Sequence, residues 1–205
     1  SQIDLVKTFA DQAVIAIENV RLFNETKEAL EQQTVISEIL RVISSSPTDV
    51  QPVFDAIVNS GHHLFSGINE VSLRLVTGGL VETVASTMPI HDTGGANPAQ
   101  LEDESMPAPR ALRRREVVHI PDILAADEWV GAQVKQRAAQ RGWRALLLAP
   151  MLRENNAIGA IAVTRATPGL FTDKEVALLR TFADQAVIAI ENVRLFNEIN
   201  EALEQ

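Results

Sequence analysis

The chain contains no cysteine and no tyrosine, and only 4% of its 205 residues are aromatic. Without cysteine it can form no disulfide, no thiolate metal site and no thioether link to a chromophore. Long apolar runs are missing as well. The longest, Ala145–Leu152, falls well short of the roughly 18 residues that a membrane-spanning helix needs. Cations are scarce: 18 Lys and Arg face 27 Asp and Glu, and the net charge of -9 would repel nucleic-acid phosphates and anionic membrane surfaces. No signal peptide is visible, and a reducing cytoplasm is the expected location.

What the chain does contain is a repeat. Thr8–Glu25 reads TFADQAVIAIENVRLFNE, and Thr181–Glu198 repeats all eighteen letters 173 positions later. A helix duplicated in this way points to a parent built as a series of similar units, with its natural boundaries outside these residues. The expected organisation is a connector helix over 1–46, which is the exit helix of a preceding unit, a sensor domain over 47–175, and an exit connector helix over 176–205.

Within the first copy, Phe9, Ala13, Ala16, Val20 and Phe23 recur at spacings of three and four, a heptad-like seam. The expected dimer interface joins these five to Ala186 and Val193 of the second copy. A second apolar stripe, Ile36, Ile39, Leu40 and Ile43, does not continue the phase of the first, which implies a slip near residues 31–35. Pro47 ends that stretch, and Thr48 or Asp49 is the expected N-cap of a helix through Val53, Ile57 and Leu64.

The period then changes. Val71, Leu73 and Leu75 alternate with Ser72, Arg74 and Val76, and Gly78-Gly79 separates them from residues 81–85, a hairpin pattern. Residues 88–109 read as a long loop of functional length. Beyond it the pattern gives a short helix at 110–115, a strand at 117–120, a helix at 128–140, two apolar strands at 145–152 and 157–164, and a long helix capped by Phe171-Thr172-Asp173. The expected fold class is α+β, an antiparallel sheet backed by terminal helices.

Three stretches taken in order resemble the GAF family. These are Val117-Val118-His119-Ile120-Pro121-Asp122-Ile123, residues 142–151 (GWRALLLAPM), and Ile158-Gly159-Ala160-Ile161 followed by Phe171-Thr172-Asp173. The resemblance covers about residues 47–190. The repeated helix resembles the connector of bacterial sensor histidine kinases that carry several GAF units in series. The resemblance implies a module sensing a small molecule or redox state, with a pocket cupped on one sheet face, a parallel homodimer through the flanking helices, and a two-component kinase core downstream.

Departures from other members narrow the ligand, which the sequence does not name. Relatives that bind cyclic nucleotides carry Asn-Lys where this chain has Thr164-Arg165, and Asp-Glu where it has Glu175-Val176, so cyclic nucleotides are demoted. Covalent bilin is excluded by the lack of cysteine. His91 and His119 are the histidines to weigh as haem ligands, but a histidine at a strand end more often satisfies a backbone group. The adjacent pair His62-His63 lacks the helical spacing that puts two imidazoles on one metal, so no metal site is expected. Arg110, Arg113, Arg114 and Arg115 form the one basic cluster, suited to a helix C-terminus.

On the first strand Ser72 and Arg74 share the face opposite Val71 and Leu73, leaving polar groups to fix a ligand. The candidate ligand-binding set is Ser72, Arg74, His119, Asp122, Trp129 and Trp143. No nucleophile elbow, phosphate loop or metal cluster is present, so the fragment reads as non-catalytic, its parent as a protein histidine kinase. Two readings remain: a ligand-sensing unit that signals through its terminal helices, and a ligandless unit that only dimerises and transmits. The long loop favours the first, and apolar filling by Leu146, Leu148 and Ile161 favours the second.

Overall fold

A computed structural model describes residues 7, 12–23, 26, 50–65, 67–89 and 98–203. The chain divides into two units, residues 1–38 and 39–205. In the first, residues 12–23 are helical (α1), and Arg21 pairs with Glu18 one turn away. Phe9, the expected phase slip and the expected caps at Thr48 and Asp49 lie outside the described residues.

The second unit begins with helix α2 (Gln51–Leu64), whose N-cap is Val50 with no side-chain bond. Pro52 stands in its first turn, where a missing N–H costs nothing. Strands β1 (Glu70–Thr77) and β2 (Leu80–Ser86) are joined by Gly78-Gly79. Both glycines have positive φ, 58° and 82°, which a two-residue hairpin turn of the right twist demands. The described part of the expected long loop contributes a two-residue edge strand, β3 (Ala99–Gln100), and the first turn of helix α3 (Pro107–Arg114). That helix starts three residues earlier than the pattern predicts, because Pro107 supplies a helical φ without needing a hydrogen-bond acceptor.

Strand β4 (Val118–Ile120) and helix α4 (Ala132–Arg141) follow. The expectation of helix from residue 128 is corrected: the Gly131 N–H donates to the Ser105 carbonyl at 2.9 Å, so the backbone there is bonded away from any helix. Strands β5 (Ala145–Arg153) and β6 (Asn156–Arg165) form a hairpin through Glu154 and Asn155, both at positive φ. Helix α5 (Asp173–Leu203) closes the unit behind a reciprocal cap. The Glu175 carboxylate accepts from the Thr172 N–H at 2.7 Å, while the Glu175 N–H donates back to the Thr172 hydroxyl at 3.3 Å.

The six strands make one antiparallel sheet in the order β3-β2-β1-β6-β5-β4. Alternation along its central strands sorts their side chains into two layers. Val71, Leu73, Leu147, Ile161 and Val163 face α2 and α5, which pack along β1, β2 and β5. Leu146, Leu148, Ala160 and Ala162 face the other way and form a second core with Ala111 and Leu112 of α3 and with Val134 and Ala138 of α4. Ile161, expected to help fill a pocket, therefore belongs to the layer beneath α5, whereas Leu146 and Leu148 do lie on the opposite side. Where β1 meets β6 the sheet is tight. A Cβ on Gly159 would overlap the Arg74 carbonyl oxygen and the Met151 methyl, and would come within 2.9 Å of Leu75 Cδ2.

A candidate ligand cavity

The sheet face away from α5 carries an unusual set of side chains. Glu70, Ser72 and Arg74 succeed one another on β1 at period two, so all three point to the same layer. Thr164 lies opposite Glu70 in the register with β6, and Ala162 lies opposite Ser72. Small alanines on β6 leave room above that strand, and α4 lies over the space. Arg137 and Arg141 are four residues apart and thus share one helical face with Val134 and Ala138. Gly142 adopts a left-handed φ of 71° as the C-cap of α4, and the Trp143 N–H donates to the Ala138 carbonyl at 3.1 Å. This cap turns Trp143 into the second core.

The result is a cavity of ≈ 70 Å³ bounded by Glu70, Ser72, Arg74 and Thr164 from the sheet and by Arg137, Arg141 and Trp143 from α4 and its cap. Met106, Ala108, Leu146 and Leu148 supply apolar wall. Arg141 donates to Glu70 at 3.1 Å with 9% and 5% of the two side chains exposed, an ion pair almost wholly removed from water. Glu70 also accepts from the Ser86 hydroxyl at 2.7 Å, and Ser86 accepts from the Met88 N–H. Arg74 donates to the Ser72 hydroxyl at 3.0 Å. Three buried polar atoms of its lining residues have no partner among the described residues: Nε and Nη2 of Arg141 and the Thr164 hydroxyl.

The electrostatics follow from burial and crowding of like charge. Desolvation pushes the Arg74 guanidinium below the ordinary arginine range. Glu70 opposes that shift, and Arg137 and Arg141 add to it. Arg137 is lowered in the same sense, first by burial and then by Arg141. Among the described residues of the wall, three cations thus surround one carboxylate, in a chain whose net charge is -9.

The sequence-predicted residues separate into two groups. Ser72, Arg74 and Trp143 line the cavity together. His119, Asp122 and Trp129 are not on its wall and have other partners. His119 Nε2 accepts from the Phe171 N–H at 2.8 Å and fixes the chain just before α5. Burial lowers the His119 pKa and Arg165 does the same, with Glu175 acting against them, so the neutral acceptor form is favoured. Asp122 receives Arg144 at 2.8 Å and the Leu124 N–H at 3.1 Å, and the hydrogen bond from Arg144 holds its pKa low. Trp129 lies beneath the Arg110 guanidinium, 4.1 Å from ring centroid to the carbon. Two further arginines of the basic cluster, Arg113 and Arg114, pair with Glu104, as does Arg110, while Arg115 is the left-handed C-cap of α3. Glu70, Arg137, Arg141 and Thr164 were not in the expected set. The signal for the two arginines was their spacing of four beside Val134 and Ala138, which marks one face of α4.

The expected dimer residues also divide. Ala186 and Val193 are buried inside their own unit, against the sheet, so they have no surface to offer a second chain. In α1 the expected residues Ala13, Ala16, Val20 and Phe23 are all exposed, the first and third being the equivalents of Ala186 and Val193. On α5 the exposed apolar side chains are Ile188, Leu195, Phe196, Ile199 and Leu203. No helix among the described residues is long and apolar enough to cross a membrane, and no group of three His, Asp or Glu among them could hold a metal ion.

The family model described as the GAF domain matches residues 49–190, and the chain belongs to that family, a class of sensory and signalling domains. Solved structures share its fold at low identity. A methyl-accepting chemotaxis protein fragment, residues 122 to 287, superposes with a TM-score of 0.63 at 22% identity, covering 78% of this chain and 97% of that one. The GAF domain of a phosphoenolpyruvate-protein phosphotransferase from Coxiella burnetii gives 0.66 at 14% identity, covering 82% and 96%. A domain assigned to a two-component sensor histidine kinase of Sinorhizobium meliloti 1021 gives 0.57 at 18%, covering 71% and 93%. A search of curated proteins finds no match.

Proposed function

We propose that this chain is a ligand-sensing GAF unit of a cytoplasmic sensor histidine kinase, which binds a small molecule in the cavity beneath α4 and passes the signal along α5. The observation that carries the reading is the cavity wall, to which Arg141 and Thr164 contribute buried donors that have no partner among the described residues. A packed, ligandless core has no physical reason to retain them, since each unpaired buried polar group costs about 1–3 kcal/mol. The route out is short. Cavity-facing and α5-facing residues alternate on the same strands, so a displacement of β5 or β6 reaches α5 through one sheet. Arg153, at the end of β5, donates to Glu191 of α5 at 2.8 Å and ties the hairpin to the exit helix.

The repeat supports a place in a series of GAF units. Val187 and Val193 of α5 are 9% and 1% exposed against their sheet, whereas the same residues of the first copy, Val14 and Val20, are 65% and 61% exposed. One eighteen-residue sequence built to cover a sheet appears once covering one and once uncovered. This supports α1 as the exit helix of a preceding unit, with the domain limits 1–46, 47–175 and 176–205. The histidine kinase parentage draws support from the connector resemblance and from the likeness in fold to the Sinorhizobium meliloti domain.

The test is to purify the fragment, record its absorption spectrum, extract it for mass spectrometry and screen small metabolites by thermal shift. A true ligand at 100 times its Kd stabilises by about 2.7 kcal/mol, which raises the midpoint of a unit this size by about 5–11 °C. Arg74→Met should abolish the shift. No copurifying molecule and no stabilisation would leave the transmitting reading standing, which the small size of the cavity, ≈ 70 Å³, otherwise favours.

A further inference from the structure

We infer that this unit also responds to acid, through a latch in which His119 of β4 holds the segment that leads from β6 into α5. His119 stands opposite Leu147 in the register, on the sheet face that carries α5, so the latch needs no ligand in the cavity and stands or falls apart from the sensing reading.

Residues 166–172 connect β6 to α5, and of their side chains only Phe171 is buried. Two hydrogen bonds tie this segment to β4 and the turn after it. The Gly169 N–H donates to the Pro121 carbonyl at 2.8 Å, and the Phe171 N–H donates to His119 Nε2, also at 2.8 Å. The rings of His119 and Phe171 meet edge to face with centroids 5.6 Å apart. The two bonds differ in kind. A carbonyl accepts at any pH, whereas an imidazole nitrogen accepts only while the ring is neutral, because the imidazolium carries a proton on both nitrogens. Protonated His119 would set N–H against N–H, and the Phe171 amide would lose its acceptor.

Burial holds the His119 pKa below the ordinary histidine range, so the latch is closed at neutral pH. Two charged groups act on the ring as well. Glu175 of α5 favours the imidazolium, but both of its oxygens are engaged, one by Arg165 and the other by the Thr172 N–H and hydroxyl at 2.7 and 2.9 Å. Arg165, at the end of β6, lies 4.2 Å from the centre of the Phe171 ring and opposes a second positive charge beside it. Leu147 on β5 is apolar, and Asp122 beyond β4 is bonded to Arg144. Turning Glu175 toward a protonated His119 would undo the cap of α5, so either response to the proton loosens the same end of the helix. The buried face of α5 consists of apolar side chains that do not titrate. The change is therefore confined to the root of the exit helix.

The experiment follows backbone amides of the isotope-labelled 205-residue chain by hydrogen exchange in NMR from about pH 7.5 to 5.5, each rate divided by its intrinsic rate at that pH. A histidine with an ordinary pKa in the released state favours opening by up to about tenfold per pH unit below about 6.5. Protection of the Phe171 N–H should therefore fall by about three- to tenfold, while that of Leu179, inside α5, stays within about twofold. His119→Gln offers an acceptor that does not titrate, and should hold Phe171 at one level across the range. His119→Phe keeps a ring without an acceptor, and should show at neutral pH the low protection that the parent reaches only in acid. A parent whose Phe171 protection does not change, or changes equally in His119→Gln, overturns the latch. A fall shared by Leu179 overturns it too, since the acid effect would then be general unfolding and not release of one segment.

Discussion

Removing one member of the Glu70–Arg141 pair should be far more damaging than removing both. The two side chains meet at 3.1 Å with less than a tenth of either exposed. Unit charges about 4 Å apart attract by about 4 kcal/mol at an effective dielectric constant of 20. Glu70→Gln preserves the shape and the hydrogen bond from the Ser86 hydroxyl, yet leaves the buried Arg141 guanidinium without its carboxylate. Breaking a buried pair from one side costs about 3–5 kcal/mol. Arg141→Met should cost a similar amount by stranding Glu70. In a unit of this size each kcal/mol lowers the midpoint by about 2–4 °C, so either single variant should melt about 6–20 °C below the parent. The double variant exchanges the pair for neutral groups and should cost only about 1–2 kcal/mol, which gives a coupling energy of at least about 4 kcal/mol in the cycle. Urea denaturation of the four proteins, followed by circular dichroism at constant salt, measures it. A coupling below about 0.5 kcal/mol would refute the reasoning, since it would mean that the pair is solvated in solution and not removed from water as its burial implies.

Gly159→Ala should destabilise by about 3 kcal/mol, the upper end of ordinary overpacking, because the Arg74 carbonyl it would strike is held in the β1–β6 ladder; a midpoint within about 2 °C of the parent would show that the strands can separate to admit a methyl. His119 gives a pH dependence of defined sign. Its folded pKa lies below the unfolded value, so its contribution is complete above about pH 6.5 and is lost as pH falls through the folded pKa. Unfolding free energy measured from pH 7.5 down to 5 should therefore drop less in His119→Gln, which keeps an uncharged acceptor for the Phe171 N–H, and equal slopes would remove His119 as the source. For the proposed homodimer, glutamate at Leu195 and Ile199, both exposed on α5, should yield monomers in sedimentation without lowering the unfolding midpoint. An unchanged mass would take that face of the helix out of the interface.

Much of the fold could be read locally, because it is decided by neighbours a few residues apart. Gly78-Gly79 and the asparagine of Glu154-Asn155 mark turns through their tolerance of positive φ, and both sit at hairpin tips in the structure, where Glu154 adopts positive φ as well. Thr172 and Glu175 cap each other over one helical turn. Alternation on β1 assigned Ser72 and Arg74 to a face apart from Val71 and Leu73, and the sheet keeps that division. Helix α4 was harder to read. Its residues, AQVKQRAAQR, are mostly polar; the spacing puts Arg137 and Arg141 on the face of Val134 and Ala138, but nothing within ten residues says whether that face meets a cavity or water. Arg141 acquires its role from Glu70, 71 positions away, and only because α4 crosses the sheet above the alanines of β6. His119 and Asp122 are similar cases: the first is claimed by a backbone N–H 52 residues on, the second by Arg144.

The duplicated helix separates the two kinds of information most cleanly. Sequence alone determined that residues 8–25 and 181–198 are one element in two copies, amphipathic and suited to join units in a series, because composition and period belong to the helix itself. Burial does not belong to it. Val187 and Val193 are covered and Val14 and Val20 are not, although their local sequences are identical, because burial is a property of the surface that a helix meets. The same reason makes Ala186 a core residue in α5, and places a buried ion pair at the wall of a cavity that no stretch of the sequence contains by itself.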